Sequence, residues 1–187
     1  MARAVIALER TALVLLCAGR SERFGDADKL LHSFQGKPLV LHAAETLAGL
    51  PFAHQFATVR PEAPDLHRLL EANGFALRET RPNATQAESL HCGLDSALAS
   101  RPDAILLALG DMPFVTADHV EMLAAAADAT SPAVSSGADW TSPPWIAPCS
   151  WVETNCADIK QALLRDARRV SADSQSLRDI DRITDLD

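Results

Sequence analysis

The stretch from Leu16 to Leu31 collects the residue types that hold phosphate. Gly19 and Gly25 lack a side chain, so backbone N–H groups can come close to phosphate oxygens. Arg20, Arg23 and Lys29 set three cations within ten residues of an otherwise acidic chain. An arginine can take two phosphate oxygens at once, which suits a triphosphate. The spacing excludes two familiar phosphate loops. A P-loop needs glycine and lysine adjacent and then Ser or Thr, whereas Gly25 and Lys29 are four apart and Leu30 follows. A dinucleotide fingerprint needs three closely spaced glycines, and only two are present. Taken alone, such a stretch is also ordinary surface-loop chemistry.

A second candidate is Asp111, preceded by Gly110 and followed by Met112 and Pro113. A carboxylate at the end of a strand, in a loop stiffened by proline, suits Mg²⁺. That ion takes one or two carboxylates and completes its shell with phosphates and water. Gly-Asp is equally at home in a simple turn. The histidines at 32, 42, 54, 67, 91 and 119 show no metal spacing, and each reads as structural or exposed.

These groups need elements to position them. Ala12–Leu16 is a short apolar run that ends at the glycine loop, as a buried parallel strand does. Gln55–Val59, Phe75–Arg78 and Ala104–Leu109 are further strands. Helical patterns lie between them, over Leu39–Leu47, Asp65–Ala72, Thr85–Leu98 and Thr116–Ala127. Pro38 precedes the first, Asn73-Gly74 closes the second, and Thr116 opens the last as an N-cap. Alternating strands and helices predict an α/β domain with a mostly parallel sheet. Ligands bind such sheets beyond the carboxyl ends of the strands, where both candidate loops fall. Residues 130–148 hold four prolines, two tryptophans and no clean periodicity, and are expected to be irregular, as a lid or acceptor pocket. A helix is expected over Trp151–Arg165, and the tail 179–187 is acidic.

The chain's 187 residues suit one domain, taken here as 1–187, with a nucleotide and metal half at 12–127 and an acceptor side at 130–187. A net charge of −8 argues against nucleic-acid or anionic-membrane partners but leaves room for a locally basic pocket. The apolar runs near the N-terminus are too short for a signal peptide or a membrane span. Cys17, Cys92, Cys149 and Cys156 form no CxxC pair, which points to a reduced, cytoplasmic protein.

Residues 16–40 resemble the signature of the nucleotidyltransferases related to molybdenum-cofactor nucleotide transfer, the cytidylyltransferases and the molybdopterin-guanine dinucleotide synthases. Leu16, Ala18, Gly19, Ser21, Arg23, Gly25, Lys29, Leu30, Leu31, Gly36, Pro38 and Leu39 match, while Cys17 and Phe24 depart from it. Leu109 to Val115 is similar to the family's metal-binding Leu-Gly-Asp-x-Pro-x-Val, and Ser89-Leu90 with Gly93-Leu94 to the helix beside the base. The glycine that family usually carries before that serine is missing from Asn83–Glu88.

The resemblance implies a three-layer, Rossmann-like sheet of the nucleotide-diphospho-sugar transferase type, with helices on both faces. It implies that Arg23 and Lys29 contact phosphates and that Asp111 holds Mg²⁺. Leu16, Ala18, Gly19, Arg20, Ser21, Gly25, Asn83, Ser89 and Gly110 would line the nucleotide, although Ser89 suits a helix N-cap equally well. Cys17-Ala18-Gly19 looks like the cytidylyl enzymes and Asp28-Lys29 like the guanylyl ones, so the donor is CTP or GTP. The acceptor is then a phosphorylated small molecule, of molybdopterin type by resemblance.

Beyond residue 127 the resemblance weakens. Ser142–Pro148 replaces one acceptor element, and Leu164–Arg168 only echoes another. Asp179-Ile180-Asp181 and Asp185-Leu186 are similar to the family's last motif, with Arg182-Ile183 between. Trp140, Trp145 and Trp151 are candidates to stack on a flat acceptor or, more commonly, to pack a core. Two other readings stay open: transfer to a sugar or polyol phosphate, and a nucleotide-binding module that no longer catalyses.

Overall fold

The protein is described from a computed structural model over residues 5–19, 28–137, 140–173 and 175–180. β1 (Thr11–Leu16) leads to a 3-10 turn, Lys29–Leu31, and a small hairpin of β2 (Ser33–Phe34) and β3 (Lys37–Pro38). Then come α1 (Leu39–Ala48), β4 (His54–Val59), α2 (Pro64–Ala72), β5 (Ala76–Glu79) and α3 (Gln86–Ala99). β6 (Ala104–Leu109), α4 (Ala117–Ala126), β7 (Ala133–Ser136) and β8 (Thr141–Pro148) are next. α5 (Cys149–Asn155), α6 (Ile159–Asp166) and β9 (Arg168–Ser171) complete the described elements.

Seven strands form one sheet in the order β5-β4-β1-β6-β8-β7-β9. β1 pairs in parallel with β4 and β6, β4 with β5, and β7 with β9; β8 runs against both of its neighbours. Successive side chains of a strand point to opposite faces. Leu13 and Leu15 therefore join Leu106 and Ala108 under α1, α2 and α4. Ala12 and Val14 join Ile105 and Leu107 under α3, α5 and α6. Helices cover both faces, so the expected three-layer α/β architecture is what forms. The expected strands and first four helices stand within about two residues of their sequence limits.

Residues 130–148 are not irregular. They supply β7 and β8, both inside the sheet. The prolines hid the strand because a proline cannot donate to a ladder. The register shows how they fit. Val134 faces Trp145 and Ser135 faces Ser142, so Pro143 and Pro144 fall in a bulge. Pro148 closes the strand at its last position. The helix expected over Trp151–Arg165 is also broken, by a 3-10 turn at Cys156–Asp158. There the Asn155 side chain donates to the Trp151 carbonyl, competing with the helical pattern.

No helix of the described residues is long and apolar enough to cross a membrane.

Candidate functional site

The parallel strands β1 and β6 are neighbours, so their carboxyl ends deliver the two candidate loops side by side. The Gly110 N–H donates to the Leu16 carbonyl at 3.0 Å. A Cβ at Gly110 would stand 2.7 Å from Cys17 Sγ, so the strand ends can approach this closely only with glycine there. Gly110 thus shapes the cleft from behind and is not among its lining residues.

Lys29 meets Asp111 across this junction, with Nζ 2.7 Å from Oδ2. The two side chains are 12% and 21% exposed, so solvent screens the pair only weakly. Asp28 sets the lysine's position. Its Oδ1 accepts from the Leu30 N–H at 3.0 Å, and its Oδ2 accepts from Arg60 Nη2 at 2.5 Å. Arg60 sits just after β4, so this ion pair ties the start of the 3-10 turn to a third strand. The Asp111 loop is held as well: the Ile180 N–H donates to the Asp111 carbonyl, and the fully buried Ile180 packs with Phe34, Leu39 and Phe114.

Between the loops lies a cleft of about 540 Å³. Of the residues expected from sequence, Leu16, Ala18, Gly19, Lys29, Asn83, Ser89 and Asp111 line it together. Arg20, Ser21, Arg23 and Gly25 lie outside the described residues. Thr85 and Gln86 line it too, and sequence reasoning had not placed them there; Thr85 was legible only as a helix start. Thr85 is the N-cap of α3 in a capping box with Glu88, so Ser89 is not the cap. Ser89 is instead buried, with Oγ 3.0 Å from Thr58 Oγ1. Asn83 is exposed at the rim and holds a left-handed backbone, φ 62°, which asparagine tolerates better than most residues. The cleft therefore faces the amino end of a 14-residue helix, an end that favours anions.

The bottom of the cleft is chemically quiet. Burial, then the charges of Asp111 and Asp28, push the Cys17 thiol well above its ordinary value, so it stays protonated. Among the described residues no group of three His, Cys, Asp or Glu side chains gathers to hold a metal. A cage made wholly of protein is not what magnesium requires. The fitting observation is Asp111 Oδ1, buried with no hydrogen-bond partner while Lys29 occupies Oδ2. An unpartnered carboxylate oxygen at this depth is a hard-cation donor, and Asp111 fits one divalent ion shared with phosphates.

The expected acceptor groups are mostly spent on structure. Arg168 bonds Asp128 at 2.7 Å and the Ala126 carbonyl, and Arg165 pairs with Asp166. Trp145 and Trp151 are buried in the core, while Trp140 is 43% exposed. His119 is buried, its Nε2 2.7 Å from Ser135 Oγ. Residues 181–187, with the rest of the acidic tail motif, lie outside the described residues.

The sheet is of the mostly parallel α/β kind, and at two adjacent strand ends it pairs a lysine with an aspartate that keeps one oxygen unpartnered. The chain belongs to the MobA-like NTP transferase domain family, whose profile matches residues 13–180. It is 30% identical over 114 residues to the bifunctional enzyme IspD/IspF of Paramagnetospirillum magneticum, covering 60% of this chain and 29% of that one. It is 29% identical over 133 residues to the bifunctional protein GlmU of Mycobacterium ulcerans, covering 67% and 27%. The chain thus spans less than a third of these relatives' own length. In fold it is similar to a nucleotidyl transferase from Methanothermobacter thermautotroptrophicus, with TM-score 0.79 and 19% identity over 94% of this chain and 93% of that one. A Mycobacterium tuberculosis H37Rv protein solved as a manganese complex gives TM-score 0.75 and 21% identity, over 94% and 95%.

Proposed function

We propose that this chain is an Mg²⁺-dependent nucleotidyltransferase of the cytoplasm, moving CMP, or failing that GMP, from its triphosphate to a phosphorylated small molecule of molybdopterin type. The observation that carries the reading is the Lys29–Asp111 pair lining a nucleotide-sized cleft, with one Asp111 oxygen unpartnered. Family membership supports the NTP as donor. The acceptor and the base rest on the signature resemblance alone. The free state of all four cysteines agrees with a reducing compartment. We read residues 1–187 as one functional unit, with the nucleotide on 12–127 and the acceptor on 130–187.

The reaction is in-line attack by an acceptor oxygen on the α-phosphorus, with pyrophosphate leaving. Magnesium, when bound, supplies positive charge to the α-phosphate oxygens and the leaving pyrophosphate. The chain positions and stabilises and makes no covalent bond of its own. Gly19 lets the backbone close on the triphosphate, and the signature resemblance gives Arg20, Ser21, Arg23 and Gly25 a share in that role. Lys29 gives its ammonium to the phosphates. Asn83 and Ser89 stand on the base and ribose side.

Pyrophosphate release tests the proposal, measured with Mg²⁺, each of CTP, GTP, ATP and UTP, and a panel of phosphorylated pterin and sugar acceptors. The expected result is release with one donor and one acceptor, reduced at least about a hundredfold in Asp111→Asn. An unchanged rate in that variant removes Asp111 from the site. Nucleotide binding without release for any acceptor would leave a binding module in place of an enzyme.

A further inference from the structure

A second cavity of about 380 Å³ adjoins the nucleotide cleft and shares Leu16, Gln86 and Leu109 with it. Its floor is Leu107, Val134 and Trp145, from three adjacent strands. Leu90 of α3 and Leu163 of α6 are among its walls. Among the described residues, Lys160, exposed on α6, is the one charged side chain that lines it, and no carboxylate does. Thr141 and Ser142, beside the Pro143–Pro144 bulge, add two hydroxyls.

We propose, resting on the nucleotidyl-transfer reading, that this cavity seats the body of the acceptor and selects one with an extended apolar face and an anionic group for Lys160. The shared wall carries the argument for the occupant: a molecule in this cavity abuts one in the nucleotide cleft, as two reacting substrates must. The lining selects its class. A sugar or polyol would bury most of its hydroxyls against Leu16, Leu90, Leu107, Val134 and Trp145, and Gln86, Thr141 and Ser142 offer too few partners for a full set of them. An aromatic ring face or a hydrocarbon segment loses nothing there, and the lone cation meets an anion at the rim.

A fluorescence titration of the full chain with anilinonaphthalene sulfonate, an apolar-bodied anion, tests this. Leu90→Gln and Lys160→Ala should each weaken its binding at least tenfold while keeping the wild-type melting shift with magnesium and nucleotide. The dye and the nucleotide should also bind together. Displacement of the dye by pterin-6-carboxylate identifies a ring face, and displacement by octyl phosphate a hydrocarbon segment. Dye binding undiminished in both variants overturns the proposal, as does mutual exclusion with nucleotide. So does displacement by glucose 1-phosphate at the same concentration, or by neither apolar anion. If no nucleotide stabilises the wild type, the transfer reading fails on its own, and the acceptor role falls with it whatever the dye does.

Discussion

Lys29 and Asp111 lie 82 residues apart in the chain and meet with Nζ 2.7 Å from Oδ2. The meeting is a consequence of topology. β1 and β6 pair in parallel from Thr11↔Ala104 to Leu16↔Leu109, so the loops leaving the two strands emerge at the same edge. Two further contacts remove the remaining freedom: Arg60 holds Asp28 beside the lysine, and Ile180 holds the aspartate's carbonyl. On the proposed function, this held pair is where the cation and the triphosphate meet.

Lys29→Met removes the ammonium and keeps much of the side chain's apolar length. A hydrogen bond to a charged group contributes about 1.5–3 kcal/mol. Steady-state kinetics should therefore show the KM for the nucleotide rising about tenfold to a hundredfold. A KM unchanged in a folded variant would place the triphosphate elsewhere.

Arg60→Gln should lower stability by about 1–3 kcal/mol, because Asp28, at 14% side-chain exposure, loses its guanidinium partner. The same variant should raise the nucleotide KM, since the lysine's turn is no longer anchored. Arg60→Lys should recover part of both effects. Melting and kinetics on the three proteins check this, and a nucleotide KM insensitive to both changes would make Arg60 purely structural.

Gly93→Ala should loosen α3 from the sheet. A Cβ there would stand 2.5 Å from Val14 Cγ1 and 3.1 Å from Thr58 Cγ2, both in the packed interior. Overpacking of this kind costs about 1–3 kcal/mol. For a chain of this size the melting temperature should fall by about 2–12 °C, measured by calorimetry. The Thr58–Ser89 contact lies next to the clash, so nucleotide binding should weaken as well.

His119 gives stability an acid-side dependence. Burial holds its imidazole below the ordinary value of 6.5, so the folded protein binds this proton less readily than the unfolded chain. Its contribution is fully present above about pH 6.5 and is lost as pH falls below that. His119→Asn, which keeps a polar group near Ser135, should flatten the fall of the melting temperature between about pH 6.5 and 5. Parallel curves for the two proteins would show that His119 does not titrate in this way.

The first half of the fold was legible because its signals are local. Ala104–Leu109 is an uninterrupted apolar run and forms β6 with those limits. Thr116 and the Asn73-Gly74 exit mark real helix ends. The second half was not legible, because Pro143 and Pro144 sit in a bulge whose register depends on the partner strand β7. The hairpin at Gln35-Gly36 also passed unnoticed: both residues take positive φ, 46° and 88°, but only the glycine signals it. Lys29 and Asp111 were singled out by residue type and neighbouring motif, and the structure brings them together in one cleft. Arg60 and Thr58 were not, since each acts through a partner distant in sequence, and Ile180 stood out only within the tail motif, not for its bond to the Asp111 carbonyl. Gly110 was read as nucleotide-lining, and the structure adds that two strand ends touch at this position.

The central claim, that the cleft binds a metal–nucleotide complex through Lys29 and Asp111, is tested most directly by thermal melting. Wild type and Asp111→Ala would be compared with Mg²⁺ and each of CTP, GTP, ATP and UTP. A nucleotide at a hundred times its dissociation constant stabilises a fold by about 2.7 kcal/mol. That should appear as a rise of about 5–10 °C for one nucleotide in the wild type, absent in the variant. No rise with any nucleotide, or an equal rise in Asp111→Ala, would contradict the account.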